Sequence, residues 1–222
     1  MNRIFGTVLF FIFSPFFIII SLMLVCIQGF PVFFIQERVG IMNRRFQLFK
    51  FRTMIENNSN PVHSITTQND GRVTKIGGVL RKFKIDELPQ VINIIKGDIN
   101  FVGPRPEVAE FVDTSPQYFS FLETCKPGVT DFSSIVFKNE SELIDTESPY
   151  QYYSNYILPV KSKLAFLFLE KDSFVLRLSV VCITVISIFH HKLALHLVSA
   201  FVPVHDLELR SKINHLLNID IF

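Results

Sequence analysis

An uncharged apolar run near the start of the chain limits the fold more than any other feature. Residues 4–27 read IFGTVLFFIFSPFFIIISLMLVCI and contain no charged side chain. A helix crosses a bilayer with about 20 apolar residues, so this run is long enough to do so. It is too long for the core of a signal peptide, and no small-residue cleavage site follows it. We therefore expect the segment to stay attached to the chain and to lie in a membrane.

The dipeptide Ser14-Pro15 interrupts the middle of this run. Proline lacks an N–H and kinks a helix, and in lipid the carbonyl that it leaves unpaired needs another donor, for which the Ser14 hydroxyl is a candidate. Two geometries are open: a kinked helix that spans the bilayer, or a helical hairpin that returns to the same face. Arg3 before the run and a larger basic cluster after it mildly favour cytoplasmic placement of both ends, without deciding between the two.

Charge in this chain is local rather than global. The 222 residues have room for one globular domain and a membrane element, and a net charge of only +2 gives no reason to expect a nucleic-acid partner. Two basic clusters suit anionic lipid headgroups or phosphates, although a solvated basic face is the simpler alternative. The first cluster contains Arg38, Arg44, Arg45, Lys50 and Arg52, and the second contains Lys75, Arg81, Lys82 and Lys84.

The three cysteines, Cys26, Cys125 and Cys182, are far apart in the sequence. They form no CxxC pair and no Cys/His ligand spacing, which argues against structural zinc. A scattered, odd set indicates reduced thiols and a catalytic part in the cytosol.

Residue patterns after the apolar run predict a mostly helical α+β fold. Alternating apolar and polar residues over 31–54, around a turn at Gly40, predict a short β-hairpin. Residues 56–72 are rich in Asn, Ser, Thr and Gln and predict a loop. A helix is predicted to begin near Asp86, with Pro89 in its first turn, because apolar residues then recur at helical spacing up to Gly97.

Later segments also have helical patterns. We predict helices over 107–124 and within 139–172. Residues 174–202 form a second apolar stretch, but charged and histidine side chains interrupt it. An amphipathic helix that lies on the membrane or on the core fits this stretch better than a membrane span.

Asp86-Glu87 is the sharpest chemical feature of the sequence. Carboxylates at a helix start are commonly simple N-caps. Here Arg81, Lys82 and Lys84 place three cations within five residues of the pair. We expect these cations to keep Asp86 ionised, and an ionised aspartate can attack phosphorus or bind Mg²⁺.

Arg105 lies between two prolines in the sequence Gly-Pro-Arg-Pro. The prolines stiffen the turn, and a rigid arginine suits bidentate binding of a phosphate. An exposed arginine in an ordinary turn is the alternative.

These residues lie in a segment, DGRVTKIGGVLRKFKIDELPQVINIIKGDINFVGPRPE, that resembles the signature of the bacterial sugar transferases. These are the monotopic polyprenyl-phosphate phosphoglycosyl transferases. The blocks QERVG (36–40), FKFRTM (49–54) and KPGVTDFSSIVFKNE (126–140) are also similar to the family, as is the break at Ser14-Pro15. The resemblance covers most of residues 1–190.

The resemblance implies a two-step reaction. Asp86 would attack the β-phosphate of a UDP-sugar, release UMP and carry the sugar phosphate, which polyprenyl phosphate would then accept. Glu87 would assist by proton handling or metal placement. Mg²⁺ would be the cofactor, with Asp86 and Glu87 as its ligands. The candidate phosphate-binding side chains are Arg81, Lys82, Arg105 and Lys138.

The resemblance also implies an architecture and a location. Residues 1–30 would form a re-entrant membrane hairpin broken at Ser14-Pro15, residues 31–190 a small catalytic domain, and residues 191–222 an amphipathic extension. The fold would be α+β and mostly helical, with the short β-hairpin and with amphipathic interfacial helices around the small catalytic domain. The protein would lie in the bacterial inner membrane with this site at the cytoplasmic face, in contact with membrane lipid, and a homodimer is compatible with it.

Some positions depart from the common family pattern. Gly71 replaces a usual proline, Lys84 a small hydroxyl residue, Asp131 a frequent glycine, and Lys138 a frequent arginine. These changes leave the transferred sugar open, and Lys138 lacks the arginine fork. A different class of function is a membrane-anchored scaffold in polysaccharide assembly without turnover; the intact Asp86-Glu87 pair argues against it.

Overall fold

The computed structural model describes residues 2–55, 65–67, 70–144 and 148–218. Most of the loop predicted at 56–72 therefore lies outside the described residues. The secondary-structure elements, in chain order, are α1 Asn2–Gln28, β1 Phe33–Val39, β2 Arg45–Phe51, α2 Lys75–Lys82, α3 Gln90–Lys96, β3 Asn100–Val102, α4 Ala109–Thr114, β4 Gly128–Thr130, α5 Phe132–Val136, α6 Glu140–Leu143, α7 Pro149–Tyr152, α8 Leu158–Glu170, α9 Phe174–Phe189, α10 His191–Ser199 and α11 Leu207–Asn218. The fold is mostly helical with short sheets, as the sequence predicts.

The apolar run forms one helix, α1, with Pro15 inside it. The re-entrant hairpin predicted over residues 1–30 is therefore not confirmed. Proline at position 15 cannot donate to the carbonyl of Phe11, four residues earlier. The Ser14 hydroxyl donates to that carbonyl at 2.8 Å. The predicted role of Ser14 as a substitute donor is confirmed, and it explains how the helix continues through the proline.

One side of α1 packs on the rest of the protein while the other is exposed. Phe17, Ile20 and Leu24 are buried against Phe51 of β2 and Leu80 of α2. The other side exposes ten large apolar side chains: Ile4, Phe5, Val8, Phe11, Ile12, Phe16, Ile18, Ile19, Leu22 and Ile27. Within the described residues, α1 is the helix long and apolar enough to cross a membrane. Such a wide apolar surface requires a cover.

Both ends of α1 lie against the same body of the protein. Near its start, the guanidinium of Arg3 lies close against Gly97, just after α3. After its end, Arg52 donates to the carbonyls of Gln28 and Gly29 at 2.6 Å each. The helix therefore lies along the domain rather than projecting from it by one end.

The predicted β-hairpin is confirmed. Strands β1 and β2 pair antiparallel, from Phe33 opposite Phe51 to Val39 opposite Arg45. The connection includes Gly40 and a short 3₁₀ turn over Ile41–Asn43.

The segment from α2 to α3 follows the predicted pattern closely. A 3₁₀ turn at Ile85–Glu87 precedes α3, Pro89 occupies the capping position of α3, and Gly97 ends that helix with a φ of 87°. Glycine adopts this left-handed conformation without a steric penalty.

A polar side chain, Asn93, is the most buried residue of α3. Its side-chain amide donates to the carbonyl of Gln47 at 2.6 Å and accepts from the N–H of Phe49 at 3.1 Å. These bonds pair two backbone groups of β2 with a side chain of α3 and so fix the helix against the strand. Apolar periodicity does not detect such a contact, so the sequence did not predict it.

The proline-bearing turns contain a strand pair that the sequence did not predict. Strands β3 and β4 pair in parallel, with Asn100 opposite Gly128 and Val102 opposite Thr130. A Cβ atom on Gly128 would lie 2.3 Å from the nitrogen of Gly103, so only glycine permits this approach.

The helix predicted over 107–124 is wrong in its length. Helix α4 ends at Thr114, and two 3₁₀ turns follow at Pro116–Tyr118 and Ser120–Glu123. Ser115 precedes a proline, whose ring disfavours helical geometry at the preceding residue. Ser115 has a φ of −137° and a ψ of 53°, which ends the helix.

The main apolar core is formed by the second half of the chain. The stretch at 174–202 is two helices, α9 and α10, which meet at His190. One face of α9 is buried through Leu176, Val180 and Ile183, while the opposite face is exposed. Helices α10 and α11 enter the same core through Leu195, Val198, Leu209 and Ile213.

We predict that two adjacent glycines of α2 respond oppositely to alanine. A Cβ on Gly77 would lie 2.1 Å from the carbonyl oxygen of Thr53, whereas a Cβ on Gly78 meets nothing within 4 Å. Gly77→Ala should lower the free energy of unfolding by about 1–3 kcal/mol. Gly78→Ala should raise it by about 0.5–1 kcal/mol, because glycine weakens a helix interior. Denaturant unfolding of both variants in detergent measures this; equal effects would contradict the tight packing of α2 on Thr53.

Candidate active site

A cavity of about 590 Å³ lies between the β-hairpin, α2, the turn before α3 and the helices that follow β4. This volume is in the usual range for small-molecule sites. It brings together five of the six residues to which the sequence assigned catalysis or phosphate binding: Arg81, Asp86, Glu87, Arg105 and Lys138. The sixth, Lys82, is exposed on α2 and does not line the cavity.

Asp86 reaches the cavity because the chain reverses just before it. Lys84 adopts a left-handed conformation, with φ 57° and ψ 20°, between α2 and the 3₁₀ turn. Asp86 is only 7% exposed, and its Oδ1 atom has no hydrogen-bond partner among the residues that the structure describes. A buried carboxylate oxygen without a donor is rare and marks a position for a ligand.

Glu87, the neighbouring carboxylate, is fully engaged by cations. Both terminal nitrogens of Arg105 donate to it, one of them to Oε2 at 3.1 Å, and Lys50 lies 3.4 Å from Oε1. Burial alone would raise the pKa of Glu87, but the charges of Arg105, Lys50 and Lys84 hold that pKa well below its usual range. Glu87 is therefore held ionised.

The prediction that nearby cations keep the pKa of Asp86 low is wrong. Burial raises this pKa, and the negative charge of Glu87 raises it further, against the weaker lowering effects of Lys50, Lys84 and Arg81. The cations favour ionisation of Glu87 instead, because Arg105 and Lys50 contact that residue directly. The two adjacent carboxylates thus have pKa values shifted in opposite directions, which is typical of paired groups with different chemical roles.

Arg105 is fixed by its turn, as the two prolines predict. The N–H of Gly103 donates to the carbonyl of Thr130 at 3.0 Å, and the N–H of Gly128 donates to the carbonyl of Pro104 at 2.9 Å. These bonds extend the β3–β4 pairing into the Gly-Pro-Arg-Pro turn. The guanidinium of Arg105 that these bonds position donates to Glu87, so it is not free to bind a phosphate.

Arg81 and Lys138 line the cavity with different partners. The Nε of Arg81 donates to the hydroxyl of Thr53 at 2.9 Å. The ammonium of Lys138 donates to the carbonyls of Ser187 and Ile188, at 2.6 and 3.2 Å, near the end of α9. An ammonium has three donors, so Lys138 retains one for a ligand.

A second charged network also lines the cavity, and the sequence did not reveal it. Glu107 accepts from Arg38 at 2.8 Å and from the Tyr153 hydroxyl at 2.5 Å. Lys161 donates to that hydroxyl at 2.8 Å and pairs with Glu140 at 2.5 Å. Arg38 and Glu107 occur in the QERVG and GPRPE blocks, and these family motifs could have identified both residues from the sequence. Lys161 lies in no such motif, and only helical spacing marks its segment.

The residues present fit a single divalent cation that shares its ligands with a substrate. Within the described ranges, no three His, Cys, Asp or Glu side chains cluster in a way that could hold a metal on their own. Mg²⁺ is commonly bound by one or two carboxylates together with substrate phosphates. Asp86, with its unpartnered Oδ1, suits this arrangement better than Glu87, whose oxygens face Arg105 and Lys50.

Comparisons with known proteins agree with this geometry. The chain is 34% identical over 154 residues to the UDP-N-acetylgalactosamine-undecaprenyl-phosphate N-acetylgalactosaminephosphotransferase of Aeromonas hydrophila, an alignment that covers 66% of this chain and 36% of that protein. It is 34% identical over 157 residues to the uncharacterized sugar transferase EpsL of Bacillus subtilis (strain 168), with coverage of 71% and 69%.

A third relative is the UDP-glucose:undecaprenyl-phosphate glucose-1-phosphate transferase of Escherichia coli (strain K12), 36% identical over 136 residues, with coverage of 59% of this chain and 29% of that protein. The chain thus spans about a third of the length of the Aeromonas and Escherichia relatives. The model of the family described as Bacterial sugar transferase matches residues 1–191, which include the whole cavity lining. The chain therefore belongs to the bacterial sugar transferase family.

Proposed function

We propose that this protein transfers a sugar phosphate from a UDP-sugar to undecaprenyl phosphate, releases UMP and so initiates a surface polysaccharide. The observation that carries this proposal is Asp86, a buried carboxylate with an unpartnered oxygen, in a cavity lined by cations. Relatives named for transfer of sugar phosphates to undecaprenyl phosphate support the substrates. A scaffold without turnover would have no need for such a carboxylate.

In the first step, a carboxylate oxygen of Asp86 attacks the β-phosphorus of the donor. The bond between this phosphorus and the bridging oxygen breaks, and UMP leaves with that oxygen and the electron pair. The product on the enzyme is an acyl phosphate that carries the sugar. Arg81 lines the cavity beside Asp86 and offsets the negative charge that gathers there.

In the second step, an oxygen of the polyprenyl phosphate attacks the phosphorus of the acyl phosphate. The bond to Asp86 breaks, the carboxylate is regenerated, and the product is a polyprenyl-diphosphate sugar. Glu87 is held ionised by Arg105 and Lys50, so it is a poor proton donor. We assign it to positioning, since it fixes the turn that carries Asp86.

Mg²⁺ would be held by Asp86 and the phosphate oxygens of the donor, with Glu87 beside it, and it would neutralise charge on the diphosphate. The cations that line the cavity orient the donor through its phosphates.

We infer that the exposed apolar faces of α1 and α9 contact lipid at the cytoplasmic face of the inner membrane. The contact of Arg3, at the start of α1, with Gly97 and the contact of Arg52 with the Gln28 carbonyl, at the end of α1, support a placement of both ends on one side. The exposed face of α9, with Phe174, Val175 and Phe189, supports an interfacial position for that helix. This arrangement admits a soluble nucleotide-sugar and a lipid phosphate to one cavity.

We predict that Asp86→Asn abolishes formation of the covalent intermediate, because an amide is not a competent nucleophile for phosphorus. Intact-protein mass spectrometry after incubation with Mg²⁺ and a panel of UDP-sugars, without acceptor, measures the adduct. Asp113→Asn, on an exposed aspartate, is the matched control and should keep the adduct. A sugar-phosphate adduct on the asparagine variant would remove Asp86 from the nucleophile role, and no adduct on the natural protein with any UDP-sugar would favour a scaffold.

We predict that Arg105→Lys lowers the rate of UMP release by roughly 10–100-fold, the usual effect of losing a partner that orients a reactive group. Lysine keeps the charge but loses the two-pronged contact with Glu87. Arg45→Lys, at an exposed arginine that pairs with Glu37 and Asp113, should leave the rate within about twofold. An equal, small effect of both changes would show that the bidentate contact does not matter for turnover.

We predict that both ends of α1 are accessible from the cytoplasm. Cysteines introduced at Asn2 and Asn60, in a variant whose three natural cysteines are replaced by serine, should both react with a membrane-impermeant thiol reagent in inside-out vesicles. Neither should react in intact spheroplasts. Labelling of the two positions from opposite sides would mean that α1 spans the bilayer.

A further inference from the structure

The cations that line the cavity fall into two groups. In the first group, each side chain has a carboxylate partner: Lys50 and Arg105 pair with Glu87, Arg38 with Glu107, Lys161 with Glu140 and Arg72 with Asp70. A cation that already faces a carboxylate attracts a further anion weakly. In the second group, Arg52, Arg81, Lys84 and Lys138 have no carboxylate ion pair within the described part of the chain.

Two members of the second group, Lys84 and Lys138, line the same cavity, and the charge of Lys84 acts on Lys138. Burial lowers the pKa of Lys138, and the positive charges of Lys84 and Lys82 lower it further, against the raising effect of Glu142. The pKa of His191 is lowered to about 4 by burial and then by the charges of Lys138 and Lys84. Both lysines are therefore close to the start of α10, and His191 adds no charge there at neutral pH.

The charge around Lys138 is positive and unbalanced. One negative charge, that of Glu142, acts on Lys138. The positive charges are those of Lys84 and Lys138 in the cavity wall and of Lys82 outside the cavity. Lys138 is held in place by two backbone carbonyls, and the left-handed backbone of Lys84 fixes where its side chain begins. Around Lys138, three lysines with one opposing carboxylate attract an anion, and Lys84 extends this positive charge towards Asp86 and Glu87.

Exposed apolar side chains flank both lysines. On one side, Phe83 directly precedes Lys84, and Val79 lies one helical turn earlier on α2. On the other side, Phe189 directly follows the Ile188 carbonyl that Lys138 contacts. Apolar surface beside a pair of cations suits a ligand with an anionic head and an apolar tail. A nucleotide has no such tail.

We propose that Lys84 and Lys138 form the binding site for the phosphate head of the acceptor, a phosphate monoester of a long-chain alcohol, whose first apolar units lie against Phe83 and Phe189. This inference rests on the proposed function and divides its cavity into two parts. Arg81, whose Nε donates to the hydroxyl of Thr53, serves the donor diphosphate instead. Because Lys84 also lies near Asp86, the acceptor phosphate is held next to the group that it must displace.

Lys84→Met tests this site, because methionine keeps much of the length of the side chain and removes the charge. We expect the KM for polyprenyl phosphate to rise about tenfold, the cost of one charge-assisted hydrogen bond. The KM for the UDP-sugar and the extent of adduct formation without acceptor should stay within about twofold. Lys75→Met, on an exposed lysine at the start of α2 outside the cavity, is the matched control and should change neither quantity.

Competing ligands distinguish the sources of the phosphate. Inorganic phosphate and a short-chain prenyl phosphate should both compete with the acceptor and not with the UDP-sugar, and the prenyl compound should inhibit more strongly because of its apolar tail. Both should lose most of their inhibition in Lys84→Met. Equal displacement of the acceptor by phosphatidylglycerol vesicles would show a general headgroup contact and overturn the proposal.

The outcomes separate this inference from the proposed function. A raised KM for the UDP-sugar with an unchanged acceptor KM would assign Lys84 to the donor and overturn the inference alone. Absence of an adduct in the natural protein would overturn the proposed function. In that case, native mass spectrometry in detergent still tests the inference. It measures how much long-chain prenyl phosphate binds to the natural protein and to Lys84→Met. Equal binding by the two proteins would reject it, and weaker binding by the variant would support it.

Discussion

The site depends on the buried contact between Glu87 and Arg105. It joins the turn before α3 to the turn after β3, and Lys50 brings β2 into the same contact. Charges removed from water are costly, and only close, well-formed pairing offsets that cost. The contact lowers the pKa of Glu87 and raises that of Arg105, so each group is held in its charged form. Loss of either partner would leave a buried charge without compensation, which costs about 3–5 kcal/mol in other proteins.

The same contact separates the roles of two adjacent carboxylates. Glu87 accepts the available donors, while Asp86 is left buried with a raised pKa and an unpartnered oxygen. The fold tolerates the unfavourable burial of Asp86 because contacts on both sides hold its turn in place. Arg105 holds Glu87, and the hydrogen bonds of Asn93 hold α3 against β2. A reactive group placed on rigid supports is the arrangement that group-transfer chemistry requires.

The apolar surfaces of the molecule relate the site to its surroundings. The exposed sides of α1 and α9 carry large apolar side chains along much of each helix. A contiguous apolar surface of this kind marks a contact with lipid or with another protein. Two of the cations without carboxylate partners, Lys84 and Lys138, lie where exposed apolar side chains adjoin the cavity. The distribution of charge and apolar surface thus separates a part of the cavity that suits a water-soluble diphosphate from a part that suits a lipid phosphate.

The sequence by itself determined the elements whose signals are local. Four such signals each predict a structure within a few residues: the uncharged run of helical length, the alternation around Gly40, the proline and glycine at the ends of α3, and the stiff turn around Arg105. The hydroxyl of Ser14 donates to the carbonyl that Pro15 leaves without a donor, which is also a local contact. Family motifs located Asp86 and Glu87 together. Only the tertiary structure decided which carboxylate the cations contact, because spacing in the sequence does not give distance in space. The cations nearest in sequence lie beside Asp86. Arg105 and Lys50, which are 18 and 37 residues away from Glu87, are nevertheless the cations that contact Glu87. The β3–β4 pair, the end of α4 and the burial of Asn93 were likewise decided by partners distant in sequence, whose contacts leave no periodic pattern in the chain.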